Sequence, residues 1–276
     1  MGFKIVVDSS SNLTNDYIKD NEVGFEVVPL TIRVNGKEYV DDDNVDIKAM
    51  FKDMNSTELA GKTSCPSPHD FLTTFGDYDN IIIVTISSKL SGCFNSALVA
   101  KDMCETNAKI LCIDSKLTAG AMRLIVDEAY KLIKEGKTFE EIETLLTQKR
   151  DSINLLFVLD KFDNLVKNGR MNKVVAFIAQ MIAIKPLCYG EDGEIKIKEK
   201  IRTFKGVLKR LAVNIGKMTN GIENKTCVIS HTFNEEDALF LKGLIEEQYN
   251  FKEVIVEQNR ALCSFYALTG GILVSF

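Results

Sequence analysis

The stretch IIIVTISSKLSGCFNSA, residues 81–97, decides the fold class of this 276-residue chain. It opens with a run of β-branched residues, which is typical of a buried strand in a parallel sheet. A hydroxyl-rich turn, residues 87–92, then leads into a helical pattern. A helix that begins beyond the carboxyl end of a parallel strand presents free N–H groups, and such a terminus binds anions. The stretch therefore predicts an α/β fold with a site for a carboxylate or a phosphate.

The composition narrows the class of protein. A net charge of −5 weighs against general affinity for nucleic acid or for an anionic membrane. Seven cysteines without a C-x-x-C pair, together with only two histidines, weigh against structural zinc and indicate reduced thiols. There is no secretory signal pattern, and the longest apolar stretch, residues 174–187, is too short to span a bilayer. We expect a cytoplasmic protein without a metal or a cofactor.

Two more apolar strands are predicted to end in hydroxyl-bearing loops. Residues 3–7 end at Asp8 and three serines, and residues 109–113 end at Asp114 and Ser115. The carboxyl ends of parallel strands lie on one edge of their sheet, so these loops can converge there. We expect two α/β domains. The N-terminal one, residues 1–152, has a mostly parallel sheet, and the C-terminal one, residues 153–276, has a mixed sheet.

Residues 14–36, which follow the first of these loops, carry three local signals. Thr14 is predicted to cap a helix that buries Tyr17 and Ile18. Residues 25–34 are predicted to form one strand, and Asn35-Gly36 is a strong hairpin signal after it.

A set of carboxylates supports an enzymatic alternative. Asp41, Asp42 and Asp43 precede a predicted helix, where they either complement its dipole or hold a divalent metal. If this loop or Asp8 held a divalent ion, the chain would be a metal-dependent phosphotransferase or hydrolase. No second carboxylate cluster accompanies these residues, and the chain lacks G-x-G-x-x-G, P-loop, G-x-S-x-G and H-E-x-x-H signatures.

Neutral donors and one arginine remain as candidate site residues. The loop KTSCPSP, residues 62–68, is either a stiff connection or a device that presents Thr63 and Ser64 as fixed donors. Arg170 follows Asn168-Gly169 and precedes a predicted apolar helix over residues 174–184. It is either a helix-capping cation or an anion-holding residue. With Ser91, these groups can bind an anion, but they include no evident general base.

A basic stripe is predicted on the strand that starts at Glu194. It consists of Lys196, Lys198, Lys200 and Arg202. Such a stripe is either a solvated strand face or a docking surface for an acidic partner.

Taken in order, these motifs resemble the DegV family. The likeness is carried by T-S-x-P-S from Thr63, S-S-x-L-S-G from Ser87, Asn168-Gly169-Arg170, and the pairs Asp8-Ser9 and Arg202-Thr203. It covers residues 3–275 as one DegV unit. The resemblance implies a two-domain α/β protein that binds one long-chain fatty acid, such as palmitate, in a buried tunnel and is not itself an enzyme.

The resemblance also implies roles for individual residues. In the family the acyl carboxylate is held by the Thr of the first motif and the Ser before Gly of the second, which match Thr63 and Ser91. Ser64, the Gly92 backbone and Arg170 match positions near the ligand head group. Some members present the fatty acid to a kinase that phosphorylates its carboxylate, so a fatty acid kinase is a predicted partner.

Two departures from the family pattern fall at the head-group site. A His followed by Gly-Pro-Gly near the C-terminus is absent, and Tyr266 is the nearest substitute. Its phenol can donate a hydrogen bond but offers no positive charge near neutral pH. Cys93 replaces a threonine, which removes one hydroxyl. We expect binding to survive both changes and hand-over to a kinase to be the step affected.

Overall fold

The computed structural model describes residues 2–171 and 184–276. In chain order the strands are β1 (Phe3–Asp8), β2 (Val23–Val28), β3 (Thr31–Val34), β4 (Lys37–Val40), β5 (Lys62–Ser64), β6 (Asn80–Thr85), β7 (Lys109–Asp114), β8 (Leu155–Val158), β9 (Lys185–Glu191), β10 (Glu194–Ile201), β11 (Thr226–His231), β12 (Glu253–Gln258) and β13 (Ile272–Ser275). The helices of the described ranges are α1 (Ile47–Asn55), α2 (Pro68–Leu72), α3 (Cys93–Met103), α4 (Gly120–Lys134), α5 (Phe139–Ser152), α6 (Asp163–Lys167), α7 (Phe204–Met218), α8 (Glu235–Gln248) and α9 (Ala261–Ala267). None of these helices is long and apolar enough to cross a membrane.

A parallel sheet forms the first half of the fold. Its four strands run in the order β2-β1-β6-β7, and every neighbouring pair is parallel. All six residues of β6 are buried, because helices and loops cover both faces of this central strand. The strand predicted from the opening stretch is confirmed, and α3 begins at Cys93 after the serine-rich turn.

A mixed sheet forms the second half. Its six strands run in the order β10-β9-β8-β13-β11-β12, with only the β11–β12 pair parallel. The predicted fold class, a mostly parallel sheet followed by a mixed one, is confirmed. The domain limits 1–152 and 153–276 stay a prediction, because one apolar core includes Leu117 of the first half and Leu155 and Phe157 of the second.

Two local predictions are wrong. Residues 25–34 do not form one strand, because the chain leaves the parallel sheet at Pro29 and enters a small sheet of order β4-β3-β5. The helix predicted after Thr14 is absent. Instead a turn joins Thr14 and Tyr17, and the phenol of Tyr17 hydrogen-bonds Asp127 of α4. The hairpin turn at Asn35-Gly36 is confirmed, with both residues at positive φ.

Two predictions concern other parts of the chain. The apolar helix predicted over residues 174–184 lies, except for Ile184, outside the described residues. On β10, an edge strand of the mixed sheet, Lys196 pairs with Glu191 and Lys198 Nζ lies 5.2 Å from the centroid of the Tyr189 ring. The docking role of this stripe stays a prediction.

The acidic loop at residues 41–43 anchors a helix distant in sequence. Asp41 is fully buried and accepts hydrogen bonds from the backbone N–H groups of Ala261 and Leu262, at 3.0 and 3.1 Å. Arg260 lies beside it, with Nε 3.7 Å from Oδ1 of Asp41. The dipole that Asp41 complements is therefore that of α9, whereas Asp46 caps the helix that follows the loop, α1.

We expect Asp41→Ala to lower the free energy of unfolding by about 2–4 kcal/mol, since it leaves two buried N–H groups without an acceptor and removes a buried charge that pairs with Arg260. Urea unfolding measures the loss. Asp42→Ala is the matched control, since the Asp42 carboxylate accepts only from Asn44 N among the described contacts. That variant should lose less than about 1 kcal/mol. Equal losses in the two variants would contradict the anchoring role.

Candidate functional site

A largely apolar cavity lies between the two halves of the chain. It encloses about 860 Å³ of unfilled space, including the part that opens to solvent at its mouth. Apolar side chains from both halves form most of its wall, among them Leu30, Leu117, Leu155, Phe157, Leu262 and Leu273. A cavity of this character favours a ligand with a long hydrocarbon part.

Four predicted site residues meet at the wall of this cavity. Thr63 reaches it from β5, Ser91 from the turn before α3, Arg170 from the segment after α6, and Tyr266 from α9. Thr63 Oγ1 and Tyr266 Oη are 2.7 Å apart and share a hydrogen bond. The Arg170 Cζ atom lies 5.8 Å from the centroid of the Tyr266 ring. Thr63 and Tyr266, which are 203 positions apart in the sequence, thus form one polar cluster with Arg170.

Backbone carbonyl groups hold Arg170 in place. Its Nε donates to Leu90 O at 3.2 Å, and Nη1 donates to Asn168 O at the end of α6. The guanidinium thus bridges the serine-rich turn and the carboxyl end of a helix. Arg170 thus bonds a helix-terminal carbonyl, as the capping interpretation predicts, and it also lines the cavity, whereas its anion-holding role stays a prediction.

The structure does not place Ser64 and Gly92 in the cavity wall. Ser64 is exposed, because successive side chains of β5 point to opposite faces and Thr63 takes the inner one. Gly92 lies in a shallow polar crevice that adjoins the mouth and shares Ser91 and Arg170 with the cavity. A Cβ atom on Gly92 would stand 3.0 Å from Cys65 Sγ, so a larger residue here would press on the Cys65 side chain.

Ser91 is linked to two buried side chains, those of Cys93 and Asp8. Ser91 Oγ lies 3.2 Å from Cys93 Sγ, and the buried Cys93 thiol lies beside the Asp8 carboxylate. Asp8 is fully buried and accepts from the backbone N–H groups of Ser10 and Ile86, at 3.0 and 2.7 Å. Burial raises the pKa of Asp8 to about 6, against the opposing effect of these hydrogen bonds.

The enzymatic alternative gains no support from this geometry. The oxygens of Asp8 and Asp41 already accept hydrogen bonds from backbone N–H groups. Over residues 2–171 and 184–276, no three His, Cys, Asp or Glu side chains converge as a metal ion would need.

The β9–β10 hairpin closes one side of the cavity. Gly190, Gly193 and Ile195 of the hairpin line it. Ser87 Oγ, which is buried, donates to Gly193 O at 2.7 Å. At Gly193, φ is +81° and a Cβ would stand 2.7 Å from Ser87 Oγ, so this tip needs glycine.

The Asp192-Gly193 turn before the strand predicted from Glu194 indicates this hairpin, and the structure confirms it. The sequence does not show that the hairpin lines a cavity, and it does not predict the helix α9 that carries Cys263 and Tyr266. Burial raises the pKa of Tyr266, so its phenol stays neutral at physiological pH.

Together, the fold and the cavity define an α/β ligand-binding protein with an apolar pocket and a polar mouth. The family model described as an uncharacterised protein of the DegV family matches residues 2–275. This chain therefore belongs to the DegV family, and the resemblance inferred from the motifs is confirmed.

Relatives of known sequence and structure agree over the full length. A DegV domain-containing protein of Streptococcus gordonii is 36% identical over 282 residues, covering 100% of this chain and 99% of that protein. The crystal structure of the Streptococcus pneumoniae Fatty Acid Kinase (Fak) B3 protein, loaded with linoleic acid, matches at 34% identity with a TM-score of 0.93, covering 100% of this chain and 99% of that one. A DegV family protein from Eubacterium eligens, loaded with heptadecanoic acid, matches at 32% identity with a TM-score of 0.91, covering 99% of each chain.

We expect Ser87→Ala to loosen the hairpin wall, because it removes the buried hydroxyl that bonds Gly193 O. Hydrogen–deuterium exchange should be about tenfold faster at residues 192–195, the effect of one lost hydrogen bond on local opening. Ser88→Ala is the matched control, since Ser88 is exposed and bonds Asp114 instead. Unchanged exchange in Ser87→Ala would show that this contact does not hold the wall.

Proposed function

We propose that this protein binds one long-chain fatty acid in the cavity and carries or presents it. The observation that carries the proposal is a largely apolar cavity whose wall also holds the polar side chains of Thr63, Ser91, Arg170 and Tyr266. Relatives at 34% and 32% identity hold linoleic and heptadecanoic acid. Each methylene group transferred from water to such a cavity contributes about 0.8 kcal/mol, so the tail supplies most of the affinity.

The carboxylate belongs, in this proposal, at Thr63 and Ser91. Two hydroxyl donors and the Arg170 guanidinium beside Tyr266 offer hydrogen bonds and one positive charge at the mouth. Hydrogen bonds to a carboxylate are stronger than neutral ones, and they fix the head group in a single place. Arg170 and Tyr266 act as secondary contacts, whereas Ser64 and Gly92 lie outside the cavity wall.

The polar residues at this mouth bind rather than catalyse. Thr63, Ser91, Arg170 and Tyr266 include no group that is poised to accept a proton at neutral pH. We propose that a fatty acid kinase is the partner that acts on the exposed carboxylate, since a relative at 34% identity is the Fak B3 protein of such a kinase. We also propose a cytoplasmic location, because all seven cysteines are free thiols, the state that a reducing compartment maintains.

The double variant Thr63→Val with Ser91→Ala should lose loading with palmitate. Each change removes a donor to a charged carboxylate, worth about 1.5–3 kcal/mol, so each single variant should bind about tenfold or more weakly. Isothermal titration with palmitate, on protein stripped of lipid, measures the loss.

Ser64→Ala is the control for that experiment, because its exposed side chain leaves the cavity unchanged. Circular dichroism and urea unfolding confirm that each variant is folded. Wild-type affinity in the folded double variant would refute the head-group assignment.

Tyr266 offers a second test through the pH dependence of binding. Since burial keeps its phenol neutral, wild-type affinity should not change through residue 266 between about pH 5 and 8. Tyr266→His should bind palmitate more tightly as the pH falls through about 6.5, because the imidazolium attracts the carboxylate. Tyr266→Phe should bind several-fold more weakly at every pH, since Thr63 loses its partner. Identical pH profiles for wild type and the His variant would place residue 266 away from the carboxylate.

A further inference from the structure

Two cysteines have the same spacing in the sequence from the two residues of the proposed head-group site. Cys65 stands two residues after Thr63, and Cys93 stands two residues after Ser91. The loops that carry them touch, because Cys65 Sγ lies 3.0 Å from the place where a Cβ on Gly92 would stand. Gly92 directly precedes Cys93, so the backbone of Cys93 lies next to the place where Cys65 meets the serine-rich turn.

The environments of these two thiols differ. Cys65 is exposed, whereas Cys93 is fully buried and contacts Ser91 and Asp8. Burial, Asp8 and the neighbouring Cys65 all raise the pKa of the Cys93 thiol. The other five cysteines are buried or half-buried, so an oxidant in solution meets Cys65 first.

We propose that Cys65 and Cys93 form a reversible disulfide that weakens ligand binding at the adjacent head-group site. The S–S bond joins the loop of Thr63 to the loop of Ser91. To form it, the Cys93 side chain turns away from Ser91 and Asp8 and toward Gly92. Ser91 then loses the contact that holds its hydroxyl in place, and a hydrogen-bond donor to the ligand is misplaced.

The chemistry is thiol–disulfide exchange with a small disulfide such as oxidised glutathione. The Cys65 thiolate attacks one glutathione sulfur, forms a mixed disulfide and expels a glutathione thiolate. The Cys93 thiol passes its proton to the neighbouring Asp8 carboxylate, and the resulting thiolate attacks the Cys65 sulfur and expels the second glutathione thiolate, which takes up the proton. In total, two protein thiols and one oxidised glutathione give one protein disulfide and two glutathione thiols.

The effect on binding rests on the proposed function, whereas the formation of the bond does not. The full-length protein is therefore treated with oxidised glutathione and measured in two ways. Intact-mass and peptide analysis should show the loss of two hydrogen atoms and a Cys65–Cys93 cross-link. Titration with palmitate should show binding about tenfold weaker after oxidation, restored by dithiothreitol, as expected for one lost hydrogen bond to a carboxylate.

Two variants sharpen the result. Cys65→Ser, at an exposed position, should bind palmitate as the reduced wild type does and should ignore the oxidant. Cys104→Ser, a half-buried cysteine at the end of α3, should respond as the wild type does. A glutathione adduct that stays on Cys65, a cross-link to another cysteine, or a cross-link without weaker binding would overturn the proposal. If the reduced protein does not bind palmitate at all, the proposed function fails, and the mass analysis still decides whether the bond forms.

Discussion

One buried carboxylate, that of Asp8, joins the parts of the fold on which the candidate site depends. It lies at the end of β1 and accepts a hydrogen bond from Ile86 N, just beyond β6, so it ties together the ends of the two central strands. Its contact with Cys93 extends this tie to the first turn of α3 and to Ser91. The position of the serine-rich turn therefore follows from an acid that is not itself at the cavity wall.

Burial of the Asp8 side chain disfavours its charged form. The pKa of Asp8 is raised from its ordinary 3.8 to about 6, because desolvation outweighs the hydrogen bonds that it receives. The folded protein holds the Asp8 proton more tightly than the unfolded chain does. The stability contributed by protonated Asp8 is therefore fully present below about pH 4 and is lost as the pH rises through about 6. At neutral pH, the burial of Asp8 therefore does not stabilise the fold. Its carboxylate instead holds the loops at the ends of β1 and β6 in position.

Local sequence signals predicted the elements that depend on local chemistry. The β-branched run of β6 and the serine-rich turn after it could both be predicted from neighbouring residues. What the sequence could not show depends on contacts between distant residues. Asp41 anchors α9 rather than the helix beside it, and the wall at Gly193 depends on Ser87. The break at Pro29 has a local cause, because proline lacks the backbone N–H that a sheet requires.

The two halves of the fold contribute different properties to the cavity. The mixed sheet supplies apolar wall, including Leu155, Phe157 and Leu273, while β5 and the serine-rich turn of the N-terminal half supply Thr63 and Ser91. Of the two positions that the resemblance implies to depart from the family pattern, Tyr266 lines the cavity, whereas Cys93 is buried beneath Ser91.

Native mass spectrometry of freshly purified protein tests the central claim most directly. The account predicts a mass increased by one long-chain fatty acid per chain, released by organic extraction and regained on addition of palmitate. Protein that is repeatedly empty, and that stays empty after palmitate or oleate is added, would contradict it.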